Sequence, residues 1–282
     1  MSKKRKAGNQ MENKIYIVTH KRFDLPALKN YQVLGVGSQQ LDFSDMVYDH
    51  DGDEISQKNP NYCELTALYW LYKNVHNIQN IGLCHYRRYF SISFFHQSDA
   101  AILSVEQADA YLKKYDILLP YPRGWFDTTV EEWFLKTDGF KKDTDELRNV
   151  ISLLFPEYLE EYDTIMHGYE ASYLNMFYMS KEKMDAYCAW LFSILFELEK
   201  RTDLSGYTPL QARIFGFLSE RLFNVWILHN QLKIKYLPVY ERENPVSKKE
   251  QLKEILKHTC LNHTALKPFC RMQWGCMEKK EK

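Results

Sequence analysis

The polar and apolar positions change period several times along the chain, and each change marks an element. Residues 14–19 (KIYIVT) are a β-branched and aromatic run that empties into polar His20, Lys21 and Arg22, the pattern of a buried strand ending in a loop. Residues 31–36 read as a second strand, stopped by the Gly35/Gly37 pair, and residues 49–56 (DHDGDEIS) as an acidic loop. Asn59 with Pro60 and Glu64 then predicts one helix through ELTALYWLYKN, with Leu65, Leu68, Tyr69 and Tyr72 on a single stripe. Residues 81–90 (IGLCHYRRYF) form the next strand. Ser104 and Gln107 make a capping box opening a helix, and DILLP (116–120) is a short buried strand stopped by its proline.

From residue 124 to 167 the pattern becomes polar, aromatic-dotted and helical, which predicts an insertion or lid (124–170) over the carboxyl edge of the sheet. Residues 173–179 (YLNMFYM) resume as a strand. Residues 181–200 are a helix apolar around most of its circumference and therefore buried on most sides. Thr208 and Pro209 open another long apolar helix, residues 234–239 close the sheet, and Ser247 with Glu250 caps a basic C-terminal helix. Strands alternating with helices predict an α/β fold with a mostly parallel sheet. The predicted body, 14–245, lies between a basic leader (1–13) and a basic tail (246–282).

The 282 residues hold 37 basic and 37 acidic side chains, and this zero balance argues against a dedicated nucleic-acid binder. The neutrality is a sum over unlike parts. Residues 1–10 carry +4 and residues 246–282 carry 9 basic against 4 acidic groups, which leaves 24 basic against 33 acidic in between, a net −9. The basic tail, with Phe269 and Trp274, predicts peripheral contact with an anionic membrane. Six cysteines in a chain this long are no disulfide framework, and Cys260, His263, Cys270 and Cys276 lack the paired spacing of a zinc site. With no apolar run near ~20 residues and no secretory signal at the start, the expected location is cytoplasmic.

No Walker A, GxGxxG, HExxH or GxSxG pattern is present, so those motif-defined classes lack support. Asp49, Asp51 and Asp53 are candidate ligands for Mg²⁺ or Mn²⁺ beside a diphosphate, although a solvated acidic turn is the simpler reading of them. HYRRY (85–89) places two guanidiniums and an imidazole at the end of an apolar strand, where they need a partner or an anion. Strand alternation separates Arg87 from Arg88, so both reach one ligand only if the strand breaks there. Asn175 within its predicted strand suits a ligand hydroxyl or a neighbouring backbone group. Glu220 and Arg221 interrupt an apolar helix as a core pair or as a functional carboxylate. Glu64 compensates a helix dipole or faces a site.

The ordered segments IYIVTHK, NPNYCELTALYWLYKN, IGLCHYRRYF, DILLP, LNMFYMSKEKMDAYCAWLFSILFELEKR and GFLSERLFNVWI resemble the bacterial capsular and exopolysaccharide biosynthesis proteins. That family was long grouped as a domain of unknown function and is now regarded as glycosyltransferases. The resemblance spans residues 14–241. It implies a GT-A-like, Rossmann-type nucleotide-diphospho-sugar transferase domain that moves a hexose, of galactose type, from a UDP-sugar to a growing surface glycan on a lipid-linked or oligosaccharide acceptor. It places Thr19, His20 and Lys21 at the nucleotide, with Asn175 lining the sugar and acceptor site. HYRRY stands where such enzymes hold a DxD metal motif, so His85, Arg87 and Arg88 are expected at the diphosphate and metal dependence is in question. The family's His near residues 135–139 is replaced by LKTDG, where Asp138 or a neighbour takes the role or the acceptor contact differs. Asp138, Glu220 and Glu64 are the candidate bases. A phosphoryl-transfer enzyme and a non-catalytic nucleotide-binding or interaction module of an assembly complex are the competing readings.

Overall fold

A computed structural model describes residues 12–37, 41–124 and 127–244, with isolated positions between 247 and 256. The chain opens with β1 (Lys14–Thr19), β2 (Tyr31–Gly35) and β3 (Val47–Tyr48). Helices α1 (Asn59–Tyr62) and α2 (Leu65–Asn74) lead to β4 (Asn80–His85) and β5 (Arg88–Phe90). Next come α3 (Val105–Leu112), β6 (Ile117–Pro120) and β7 (Arg123–Gly124). A helical stretch follows: α4 (Val130–Thr137), α5 (Lys141–Leu154) and α6 (Leu159–Met166). The chain then forms β8 (Glu170–Ala171), β9 (Phe177–Ser180), α7 (Lys181–Arg201), α8 (Ile214–His229), β10 (Ile234–Leu237) and β11 (Val239–Glu241).

The main sheet runs β10-β6-β9-β4-β1-β2-β3. β3, β2, β1 and β4 are parallel, as are β6 and β10, while β9 lies antiparallel between β4 and β6. Strand alternation divides the core between the two faces. Tyr16, Val18, Ile81 and Leu83 pack under the helical layer; Ile15, Ile17 and Cys84 pack under α3 and the β5/β11 pair. Among the described residues no helix is long and apolar enough to cross a membrane.

Four expectations are corrected by tertiary structure. The helix predicted from Asn59 breaks at Cys63, whose φ is +53°, so that α2 restarts with Glu64 at its N-cap. The strand predicted over 81–90 folds back after His85, which pairs antiparallel with Arg88 around Tyr86 and Arg87. Asn175 is outside the strand: Leu174 and Asn175 both have positive φ, and β9 begins at Phe177. The 124–170 region does not stand apart as a lid, because Val130, Phe134, Leu147, Val150, Ile151 and Tyr162 belong to the core shared with α7 and α8. The Ser247/Glu250 capping box does form, with Glu250 N–H donating to Ser247 Oγ at 3.3 Å. Most of the leader and tail, including Cys260, His263, Cys270 and Cys276, lies outside the described residues.

Candidate active site

A cleft of about 680 Å³ opens at the carboxyl ends of β1, β2 and β4, the edge at which open α/β sheets hold ligands. Val18, Thr19, His20 and Val36 come to it from β1 and β2, and the hairpin after β4 adds His85, Tyr86, Arg87 and Arg88. Asn59 and Glu64 reach it from the starts of α1 and α2, and Arg213, Gly216 and Phe217 from the start of α8. The starts of α2 and α8 present the positive end of the macrodipole, which favours anions; four-residue α1 adds no free N–H, since Asn59 N–H donates to the Ser56 carbonyl and Pro60 has none.

The hairpin resolves the question of the two arginines, since both line the cleft. They differ in pairing. Arg88 Nε donates to Glu241 Oε1 at 2.8 Å and is a structural ion pair as well. Arg87 has no carboxylate within ion-pair distance among the described residues; its guanidinium lies 5.7 Å from the Tyr86 ring centre. Arg213 is the second cation of the cleft without a carboxylate partner among the described residues. Its Nε donates to Cys63 Sγ at 3.0 Å, and burial still pushes that thiol up to about 11. His20 is held below the usual imidazole range by burial, then by the charges of Lys21, Arg87 and Arg213. Lys21 itself does not line the cleft but pairs with Glu243 at 3.1 Å. The Thr19 hydroxyl donates to the Lys21 carbonyl at 2.6 Å and fixes this turn.

His85 Nε2 lies 2.6 Å from the Leu174 carbonyl oxygen. A carbonyl only accepts, so Nε2 bears a proton. Burial lowers the imidazole pKa, with the charge of Glu64 and the Leu174 carbonyl acting against it and the two arginines with it. The Leu174 N–H donates to Glu220 Oε1 at 2.7 Å, so one turn ties the hairpin to α8. Asn175 is 3 % exposed and spends its amide on the protein: Nδ2 donates to Glu64 Oε1 at 2.7 Å and Ser219 Oγ at 2.9 Å. It therefore orients Glu64 from behind and does not line the cleft.

Glu64 and Glu220 are the carboxylates lining the cleft. Burial pushes Glu220 up to about 7; the negative charges of Glu64 and Asp138 act in the same direction, and Arg221 and the Leu174 amide oppose it. Asp138 is not at the cleft. It accepts from Arg221 at 2.8 Å, and Arg221, 1 % exposed, lies between the rings of Phe134 and Tyr173. A buried guanidinium needs a counter-ion, and Asp138 serves as one.

The acidic loop does not assemble a ligand set. Asp49 is fully buried, and burial raises its pKa to about 6; Thr66 and Gly37 N–H favour its charge, although neither closes a hydrogen bond. The Asp51 carbonyl accepts from Trp70, and the Asp53 carboxylate accepts from Tyr69 at 3.3 Å. No group of three or more His, Cys, Asp or Glu side chains among the described residues is arranged to hold a metal.

Sequence reasoning missed Arg213, Asn59, Cys63, Tyr86 and Phe217. Arg213 had a signal: a cation immediately before an apolar helix opposes the macrodipole unless something there needs it. Gly216 had another, since an isolated glycine in a helix marks close approach, here to Cys63 Sγ, 3.3 Å from where a Cβ would stand. The Cys63 break had none.

Sheet order, the antiparallel β9 and a cleft at the carboxyl edge together define a GT-A-like α/β domain. The chain belongs to the family described as a domain of unknown function, DUF4422, whose model matches residues 14–231. It is similar to the apo structure of the bifunctional glycosyltransferase WbbM, with a TM-score of 0.75 and 29 % identity over 83 % of this chain. The chain spans about half of that protein, 46 % of its length. No curated protein matches the chain.

Proposed function

We propose that the chain is a glycosyltransferase that moves a hexose from a nucleotide-diphosphate sugar, a UDP-sugar of galactose type, to a hydroxyl of a growing surface polysaccharide. The single observation that supports it best is the cleft itself, which brings together Arg87 and Arg213, neither in an ion pair among the described residues, the starts of α2 and α8, and Glu64 and Glu220. Breaking the bond from the anomeric carbon to the diphosphate leaves charge on the departing oxygen. Guanidiniums and helix N-termini stabilise that charge. The acceptor oxygen forms the new bond, and its proton passes to the carboxylate pair, Glu220 being poised near neutrality. His85 and buried Asn175 position the turn and Glu64.

Thermal shift and saturation-transfer NMR with UDP, GDP, CMP and dTDP test this reading. The expected outcome is stabilisation by UDP, weakened about 10- to 100-fold in affinity by Arg87→Ala, as for loss of a charged hydrogen bond. Silence with every nucleotide would overturn it and favour a non-catalytic interaction module. A lipid-linked acceptor would be met through the basic segment after residue 246; deletion of that segment is expected to abolish flotation with anionic liposomes.

A further inference from the structure

A second cavity, of about 630 Å³, shares Tyr86 with the cleft, and its volume is within the range of small-molecule sites. Its aromatic surface comes from Phe23, Tyr86 and Tyr240, with the Phe23 and Tyr86 ring centres 5.8 Å apart. Its polar surface differs in sign from that of the cleft. Asp24, Asp99 and Glu243 line it against the single cation Arg242. Arg242 is already spent: Nε donates to Asp99 Oδ1 at 3.0 Å, and another guanidinium nitrogen donates to the Asp24 carbonyl oxygen. The Asp24 carboxylate is exposed and has no ion pair among the described residues.

We propose that this cavity is the acceptor subsite and that it takes an uncharged sugar unit of the glycan; the inference rests on the glycosyltransferase reading above. Carboxylates accept hydrogen bonds from sugar hydroxyls, and aromatic faces pack against the apolar face of a pyranose ring. Arg242 matches Asp99 and Lys21 matches Glu243, so Asp24 is the carboxylate left uncompensated among the described residues; it disfavours a phosphate or a uronic acid and leaves the cavity to a neutral sugar, beside a cleft that keeps Arg87 and Arg213 for the anionic donor. Tyr86 is the shared wall, and Arg87 next to it in the hairpin faces the donor side. The Lys21–Glu243 pair, 3.1 Å, joins the turn after β1 to the acceptor cavity, and Lys21 Nζ stands 4.8 Å from the centre of the Tyr86 ring.

The test is saturation-transfer NMR on the full chain with UDP present. The probes are the methyl glycosides of glucose, galactose, mannose and N-acetylglucosamine, with glucuronic acid as the charged control. At least one neutral glycoside is expected to receive saturation and glucuronic acid none. Phe23→Ala and the exposed Asp24→Ala are each expected to weaken the neutral ligand about tenfold or more, with the UDP-induced thermal shift unchanged. That shift also reports whether Phe23→Ala is folded, and Asp24→Ala stands as the independent variant. The proposal falls if no neutral glycoside binds while UDP does, if binding survives Asp24→Ala, or if glucuronic acid binds more tightly. Absence of any UDP response in the same sample instead removes the reading on which it rests.

Discussion

Glu220 is the residue on which pH acts most directly. Its folded-state pKa, about 7, lies above its ordinary 4.5 because burial disfavours the charge. Between those values the folded chain holds a proton that the unfolded chain has released. The stability tied to this group is therefore fully present below about pH 4.5 and is lost as pH rises through about 7. Glu220→Gln is expected to gain up to roughly 3 kcal/mol at pH 8 relative to pH 5, read as the difference in urea midpoints at the two pH values. An effect equal at both would contradict the shift. On the glycosyltransferase function proposed above, with Glu220 as the base, transfer is expected to rise with pH through about 7 as the carboxylate becomes charged.

At the scale of elements, the centre of the sheet is the least tolerant place. A Cβ on Gly82 of β4 would stand 2.7 Å from the Tyr178 ring, 2.8 Å from Ile15 and 3.1 Å from the Phe177 carbonyl oxygen. Gly82→Ala is expected to destabilise the chain by about 1–3 kcal/mol, measured as a lowered denaturation midpoint with the slope unchanged. The elements that depend on local pattern were legible. KIYIVT, DILLP and the apolar α7 lie within a residue or two of their predicted bounds, and the Ser104/Gln107 capping box is formed. The breaks at Cys63 and at Leu174–Asn175 were not legible, because left-handed backbone at non-glycine residues is imposed by surrounding contacts and not by propensity.

For the whole molecule, helices α4 to α6 and the sheet belong to one core, so they are expected to unfold together. Leu147, fully buried in α5, is far in sequence from every strand of the cleft. Leu147→Ala is expected to cost about 2–5 kcal/mol and to shift a single transition, seen alike by far-UV CD and tryptophan fluorescence. Two separated transitions would restore the independent lid. The sequence by itself determined the α/β class, the strands that end at the cleft, the HYRR segment as a cluster of cations at a strand's end, and an acidic body between basic ends. Those follow from periodicity and charge, which are local or additive. Only the tertiary structure decided which carboxylates face the cleft, that Asp138 is a counter-ion for Arg221, that Asn175 serves Glu64, and that Arg213 joins Arg87. These roles depend on residues 83 or more positions apart in the chain, brought together by strand order and helix packing, which no local pattern encodes.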